Sequence, residues 1–221
     1  MGRELFFLFF AGVPAEDTGG FPLYPLGRWL FPLSICLLAV GFRMERSRAS
    51  RLFAVIRYGK RGKWWTAHFC RHLLYGVLTG AALLASGFLV QQLLTGRQPD
   101  RQGMEAMAAV CILWIVHMMT LLALFFFMEL FMKTAEQRNM IPPALLLLEG
   151  MSFLYGHYHR EAARFLFGSW GMYTQSSLCD GAGYRIVPVL AAEAACIAGC
   201  CLLGYGFLAG REKETDYLWQ V

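Results

Sequence analysis

Charge is what this sequence has least of. Only 16% of its 221 residues are Asp, Glu, Lys or Arg, while 57% are hydrophobic. Soluble domains carry about 25% charged residues, and they need that charge to cover a water-facing surface. The deficit excludes an ordinary soluble single-domain enzyme, and the apolar excess excludes a disordered chain. Signature motifs are missing as well. The chain has no G-x-x-x-x-G-K-[ST] phosphate loop: Gly59-Lys60-Arg61-Gly62-Lys63 has the wrong spacing and follows no strand. It has no G-x-S-x-G elbow and no H-E-x-x-H either. If its work consumes ATP, another chain must bind the nucleotide. Seven cysteines are present, but six (Cys36, Cys70, Cys111, Cys196, Cys200 and Cys201) fall in apolar runs, where they act as small hydrophobes. No paired zinc spacing occurs.

Long apolar runs take the place of these features. A helical crossing needs about 20 mostly apolar residues. Segments 28–44, 67–94, 104–132 and 186–209 meet or approach that length, and 140–156 is a shorter fifth, opening on Pro142-Pro143 in a first helical turn. Leu5 to Val13 is apolar but covers only about 13 Å as a helix. It reads as a short or truncated first span, or as the apolar part of a signal peptide cleaved near Ala15, a reading that Glu4 weakens. The expected fold is an all-α integral membrane protein of about six transmembrane helices, one domain over 1–221.

Orientation follows from the cations. Between the second and third spans lie Arg43, Arg46, Arg48, Arg51, Arg57, Lys60, Arg61 and Lys63 against the single acid Glu45. Short loops rich in Lys and Arg stay in the cytosol. Alternation then puts 95–103 and 157–185 outside, and 133–139, the C-terminal tail and the N-terminus inside. Within the cytosolic stretch 45–66, Leu52, Val55 and Ile56 share one helical side, and Trp64-Trp65 sit at headgroup depth. That pattern suits an amphipathic helix held on anionic lipid, and equally a segment that docks on a soluble partner.

Arg57-Tyr58-Gly59-Lys60-Arg61-Gly62-Lys63-Trp64-Trp65 resembles the R-Y-G-S-R-K-K-W-W type of run in small permease subunits of ABC-2-type transporters, in the branch tied to bacterial peptide, lantibiotic and bacteriocin export or immunity. Trp29 and Pro32 resemble that family's W-x-x-P at the start of the second span. Phe167-Gly168-Ser169-Trp170-Gly171-Met172 resembles its P-G-x-W-x-M outer segment before the last span. Lys60 and Gly62 depart from the pattern, and the first span is short. The resemblance implies a coupling region of Arg57, Tyr58, Gly59, Arg61, Trp64 and Trp65, contacting two copies of an ATPase subunit that hold ATP and Mg. It implies no cofactor in this chain, a partly re-entrant 157–185 segment, a homodimer or heterodimer of permeases, a peptide substrate and a bacterial plasma membrane. No nucleic-acid partner is implied.

Ionisable residues inside spans are costly in lipid and are functional candidates. His117, Glu149 and Glu193 are such residues, either lining a pathway for a cationic peptide or satisfying one another. His157-Tyr158-His159 with Glu161 has metal-ligand residue types, but positions two apart do not share a helical face. A membrane metal-dependent hydrolase is therefore a weaker reading, as is a passive immunity partner, and no metal ligands are assigned. In the last span Ala191, Ala195 and Gly199 repeat every fourth position, with Ala192, Cys196, Cys200 and Gly204 on the next line. Small residues let helices approach closely, so this helix is expected to be a packing element within the subunit or across a dimer.

Overall fold

The computed structural model describes residues 5–13, 23–47, 58, 60–96, 99–159, 165–179, 181 and 183–218, with 47 and 211–218 described by backbone alone. It is built of helices: α1 (Leu5–Phe10), α2 (Leu23–Ser47), α3 (Arg61–Thr95), α4 (Arg101–Glu129), α5 (Ala135–Asn139), α6 (Ile141–Tyr158) and α7 (Ile186–Leu218). Two short 3₁₀ turns, Phe167–Ser169 and Tyr173–Gln175, precede α7. Among the described residues, four stretches, Leu23–Arg46, Arg61–Thr95, Arg101–Glu129 and Ile186–Gly210, are long and apolar enough to cross a membrane. They contain or nearly match four of the expected spans. The segment expected as a fifth span forms α6, 18 residues or about 27 Å long, which is not among those four. The first is reduced to α1, six residues covering about 9 Å, too little to cross.

Local sequence sets the helix ends. Asp100 caps α4 by accepting the Gly103 N–H at 2.8 Å. Thr134 and Gln137 form a reciprocal capping box that starts α5. Pro142 and Pro143 occupy the opening turn of α6, where an N–H is dispensable. Gly96 ends α3 in the left-handed region, at φ 61°.

Lipid tails are as apolar as leucine, so helices in a membrane are held by close packing and hydrogen bonds rather than by hydrophobic burial. Helix α4 is the central element: Val110, Trp114, His117, Met118, Leu121, Leu122 and Phe126 are all fully buried. Outward faces of α3 (Leu74, Leu78, Leu89, Leu93) and α7 (Val187, Leu202, Leu203) are bare leucine and valine. Helix α1 is a wedge at one end of the bundle. Its Phe6 N–H donates to Gln91 Oε1 at 2.9 Å, four residues from the end of α3, and Phe10 meets Trp114 edge-on at 5.4 Å. The wedge is tied down by the second 3₁₀ turn. The Thr174 hydroxyl reaches the carbonyls of Ala11 and Val13 at 3.1 and 2.8 Å, and Gln175 Nε2 donates to Val13 at 2.9 Å.

At the opposite end α3 locks onto α7. Trp65 is buried, donates from Nε1 to the Cys201 carbonyl at 3.0 Å, and lies flat against Gly204. A Cβ on Gly204 would come within 2.6 Å of the indole. The line Ala192, Cys196, Cys200 and Gly204 therefore faces into the bundle. The expected packing line Ala191, Ala195 and Gly199 does not: Ala191 and Ala195 are exposed, and Gly199 has open space beside it. Among the described residues that line is left largely open within the protomer. Gly204→Val is expected to cost about 1–3 kcal/mol by overpacking, read as a lowered thermal midpoint in detergent. Gly206→Val, where nothing lies within 4 Å, should leave the midpoint nearly unchanged.

Candidate functional site

The three ionisable residues flagged separately in the spans meet. Mid-way along α4, His117 projects between α6 and α7. Its Nδ1 lies 2.7 Å from Glu193 Oε1 on α7, and its Nε2 lies 3.0 Å from Glu149 Oε1 on α6. From α2 the Trp29 indole N–H donates to the same Glu149 oxygen at 3.4 Å. All three titratable side chains are 0% exposed. Among the described residues, both remaining carboxyl oxygens, Glu149 Oε2 and Glu193 Oε2, have no hydrogen-bond partner.

The 167–172 segment closes this site on one side. The Phe167 ring sits 4.7 Å from the imidazole of His117. Gly171 presses its backbone onto the same ring so closely that a Cβ would come within 2.6–2.8 Å of it, so the cap needs glycine here for lack of space. Three further hydrogen bonds hold the cap. The Gly168 N–H donates to Ser152 Oγ at 3.0 Å, and the Tyr184 hydroxyl reaches the carbonyls of Trp170 (2.5 Å) and Met172 (3.0 Å). Burial first, and then the nearby Glu193 carboxyl, raise the Tyr184 phenol above its ordinary pKa, which keeps the donated proton in place.

Chemically this is a closed polar knot. An imidazole gives both nitrogens to carboxyl oxygens only when both carry protons or a carboxyl supplies one. The interaction satisfies groups that would otherwise be buried alone, at a cost of several kcal/mol each. The three expected pathway residues His117, Glu149 and Glu193 thus face one another and are fully buried in this arrangement.

The remaining expected site residues lie at the other end of the bundle. Trp64 stacks on His68 at 4.9 Å and is half-buried, Trp65 is docked on α7, Arg61 is half-buried, and the exposed Tyr58 accepts from Arg71 Nη2 at 3.5 Å. Arg57 and Gly59, with half of the expected 45–66 coupling segment, lie outside the described residues, as does Glu161. His157 packs near Phe153 at 5.9 Å and His159 on Tyr155 at 4.5 Å. Among the described residues no group of three or more His, Cys, Asp or Glu is placed to hold a metal ion.

Trp29, Ser152 and Tyr184 were not identifiable as site residues from sequence. Trp29 had a signal in W-x-x-P, but nothing in that spacing tells that its N–H reaches a carboxyl 120 residues away. Family models, curated proteins and solved structures were all searched, and none matches this chain.

Removing the central ring should be severe. His117→Ala leaves two carboxyls buried without a partner and is expected to cost about 3–5 kcal/mol in a denaturation series. Thr174→Val, which deletes only the hydroxyl's hydrogen bonds to Ala11 and Val13 just after α1, should cost about 0.5–1.5 kcal/mol.

Proposed function

We propose that this chain is the membrane-embedded permease subunit of an ABC transporter, exporting or clearing a peptide or another amphipathic substrate with ATP hydrolysed by a separate subunit. Two copies of that ATPase would sit beneath a homodimer or heterodimer of permeases in a bacterial plasma membrane. The Arg61 end of the bundle faces the cytosol in this reading, together with the tail of α7. Helix α1 then belongs to the outer half, in place of the cytosolic start expected of a complete first span.

The observation that carries the proposal is the docking of Trp65. The residues that resemble a coupling region run directly into α3, and Trp65 fastens that end to Cys201 and Gly204 of α7. Eight residues before Cys201, about 12 Å along the same helix, α7 carries Glu193 of the buried knot. The other two stretches of resemblance meet there, Trp29 from α2 and 167–172 as the cap. A push delivered at 45–66 therefore reaches the outer cap through one rigid helix. Ala191 and Ala195, bare on the protomer, offer the small residues that a second permease would pack against.

A partner responds to such an element only by binding one of its states better than the other. Co-expression with candidate ATPases tests the proposal. The intact chain should assemble with one of them and change its ATP turnover, and Trp64→Ala or Gly59→Pro should reduce that effect on the order of tenfold, within the usual span of coupling energies. Unchanged assembly and turnover in both variants would contradict the coupling role.

A further inference from the structure

We infer that the Glu149–His117–Glu193 knot is a proton-binding site whose closure under the 167–172 cap takes up two protons from solution. The inference stands on the geometry of the knot and does not depend on the transporter reading.

Proton counting gives the number. Exposed to water near pH 7, two glutamates are ionised and a histidine is largely neutral, since their ordinary pKa values are about 4.3 and about 6.5. The exposed trio then carries charge −2. In the closed knot both ring nitrogens face carboxyl oxygens, at 2.7 and 3.0 Å. Both can donate only if the ring is doubly protonated, which adds one proton and leaves −1. That charge would have to be held in an interior that offers no compensating cation. Among the described residues no lysine or arginine pairs with either carboxyl, and the guanidinium of Arg28, beside Trp29, lies over the Tyr24 ring at 4.6 Å. A second proton taken up by the knot, in which Glu149 Oε2 and Glu193 Oε2 have no partner among the described residues, brings the site to neutrality. An isolated buried charge is far more costly than its neutral form, so the second proton is retained.

Among the described residues, no other group that titrates near neutral pH faces the knot. Helix α2 presents the Trp29 indole, α7 presents Glu193 and the thiol of Cys196, and the stretch between cap and α7 presents the Tyr184 phenol. The cap itself, Phe167 to Met172, has no titratable side chain. Lifting the cap exposes the knot to water and releases its protons, so closure and proton uptake are one equilibrium.

The sign follows from linkage. The closed state binds more protons, so it is favoured at low pH and lost as pH rises, by tenfold per pH unit for each proton taken up. Two protons give a hundredfold change per unit above about pH 7. Glu193→Gln keeps an oxygen to accept from Nδ1 but removes one charge, which leaves one proton and a tenfold change. With Glu149→Gln added, a neutral imidazole donates from one nitrogen and accepts an amide N–H at the other, and the dependence vanishes.

The test is amide hydrogen exchange of the full chain in lipid nanodiscs, followed at Gly168, Ser169, Trp170 and Met172. The N–H groups of all four are hydrogen-bonded in the closed cap. After correction for intrinsic exchange chemistry, their opening equilibrium should rise about a hundredfold between pH 7 and pH 8 in the native chain. The slope should fall to tenfold in Glu193→Gln and to none in the double variant. A flat native profile overturns the inference, as does a Glu193→Gln slope equal to the native one. Should a variant fail to fold, the native slope decides alone.

Discussion

A polar group sealed in an apolar bundle must be satisfied by another polar group of the same chain, and the rest of this structure is arranged around one such obligation. His117 bridges Glu149 and Glu193, with Trp29 as a third donor. In lipid the bare helix faces supply little drive to associate. These hydrogen bonds, which join α4 to α6 and α7 and bring in α2, therefore fix which helices are neighbours. The same bonds fix rotation: Glu149 and Glu193 must both face α4, so the leucine-rich sides of α6 and α7 face outward.

The cap and the wedge follow from that centre. The 167–172 segment lies on the imidazole through Phe167 and Gly171. The turn after it grips α1 through Thr174 and Gln175. Knot, cap and wedge thus form one connected unit at one end of the molecule. The other end is held by a different device, a tryptophan set against a glycine of α7. Helix α7 belongs to both, and it is the physical link between the cation-rich end and the buried carboxyls.

Much of this could be read from the chain, and the limits are physical. Apolar length alone located α2, α3, α4 and α7, because a membrane-crossing helix leaves a run that no soluble element needs. It did not locate α1 as a wedge, since a six-residue helix has too little sequence to show which groove it fills. His117, Glu149 and Glu193 stood out individually because charge within a span is rare. Their meeting was not legible: partners 32 and 76 residues apart in sequence are brought together by helix order and rotation, which hydropathy does not encode. In α7 the periodicity revealed two adjacent lines of small residues but not which faces inward. The choice is made by the bulk of Trp65, which needs Gly204 beneath it.

The proposed knot holds a doubly protonated imidazole between two carboxyls. Nitrogen-15 magnetic resonance of the His117 ring, in the full chain reconstituted in lipid and assigned by loss of the signal in His117→Gln, observes that state directly. Both ring nitrogens should appear protonated and hydrogen-bonded at pH 7, with no exchange with bulk water on the timescale of the experiment. A ring with one bare nitrogen at that pH, titrating near pH 6.5 as a histidine in water does, would contradict it.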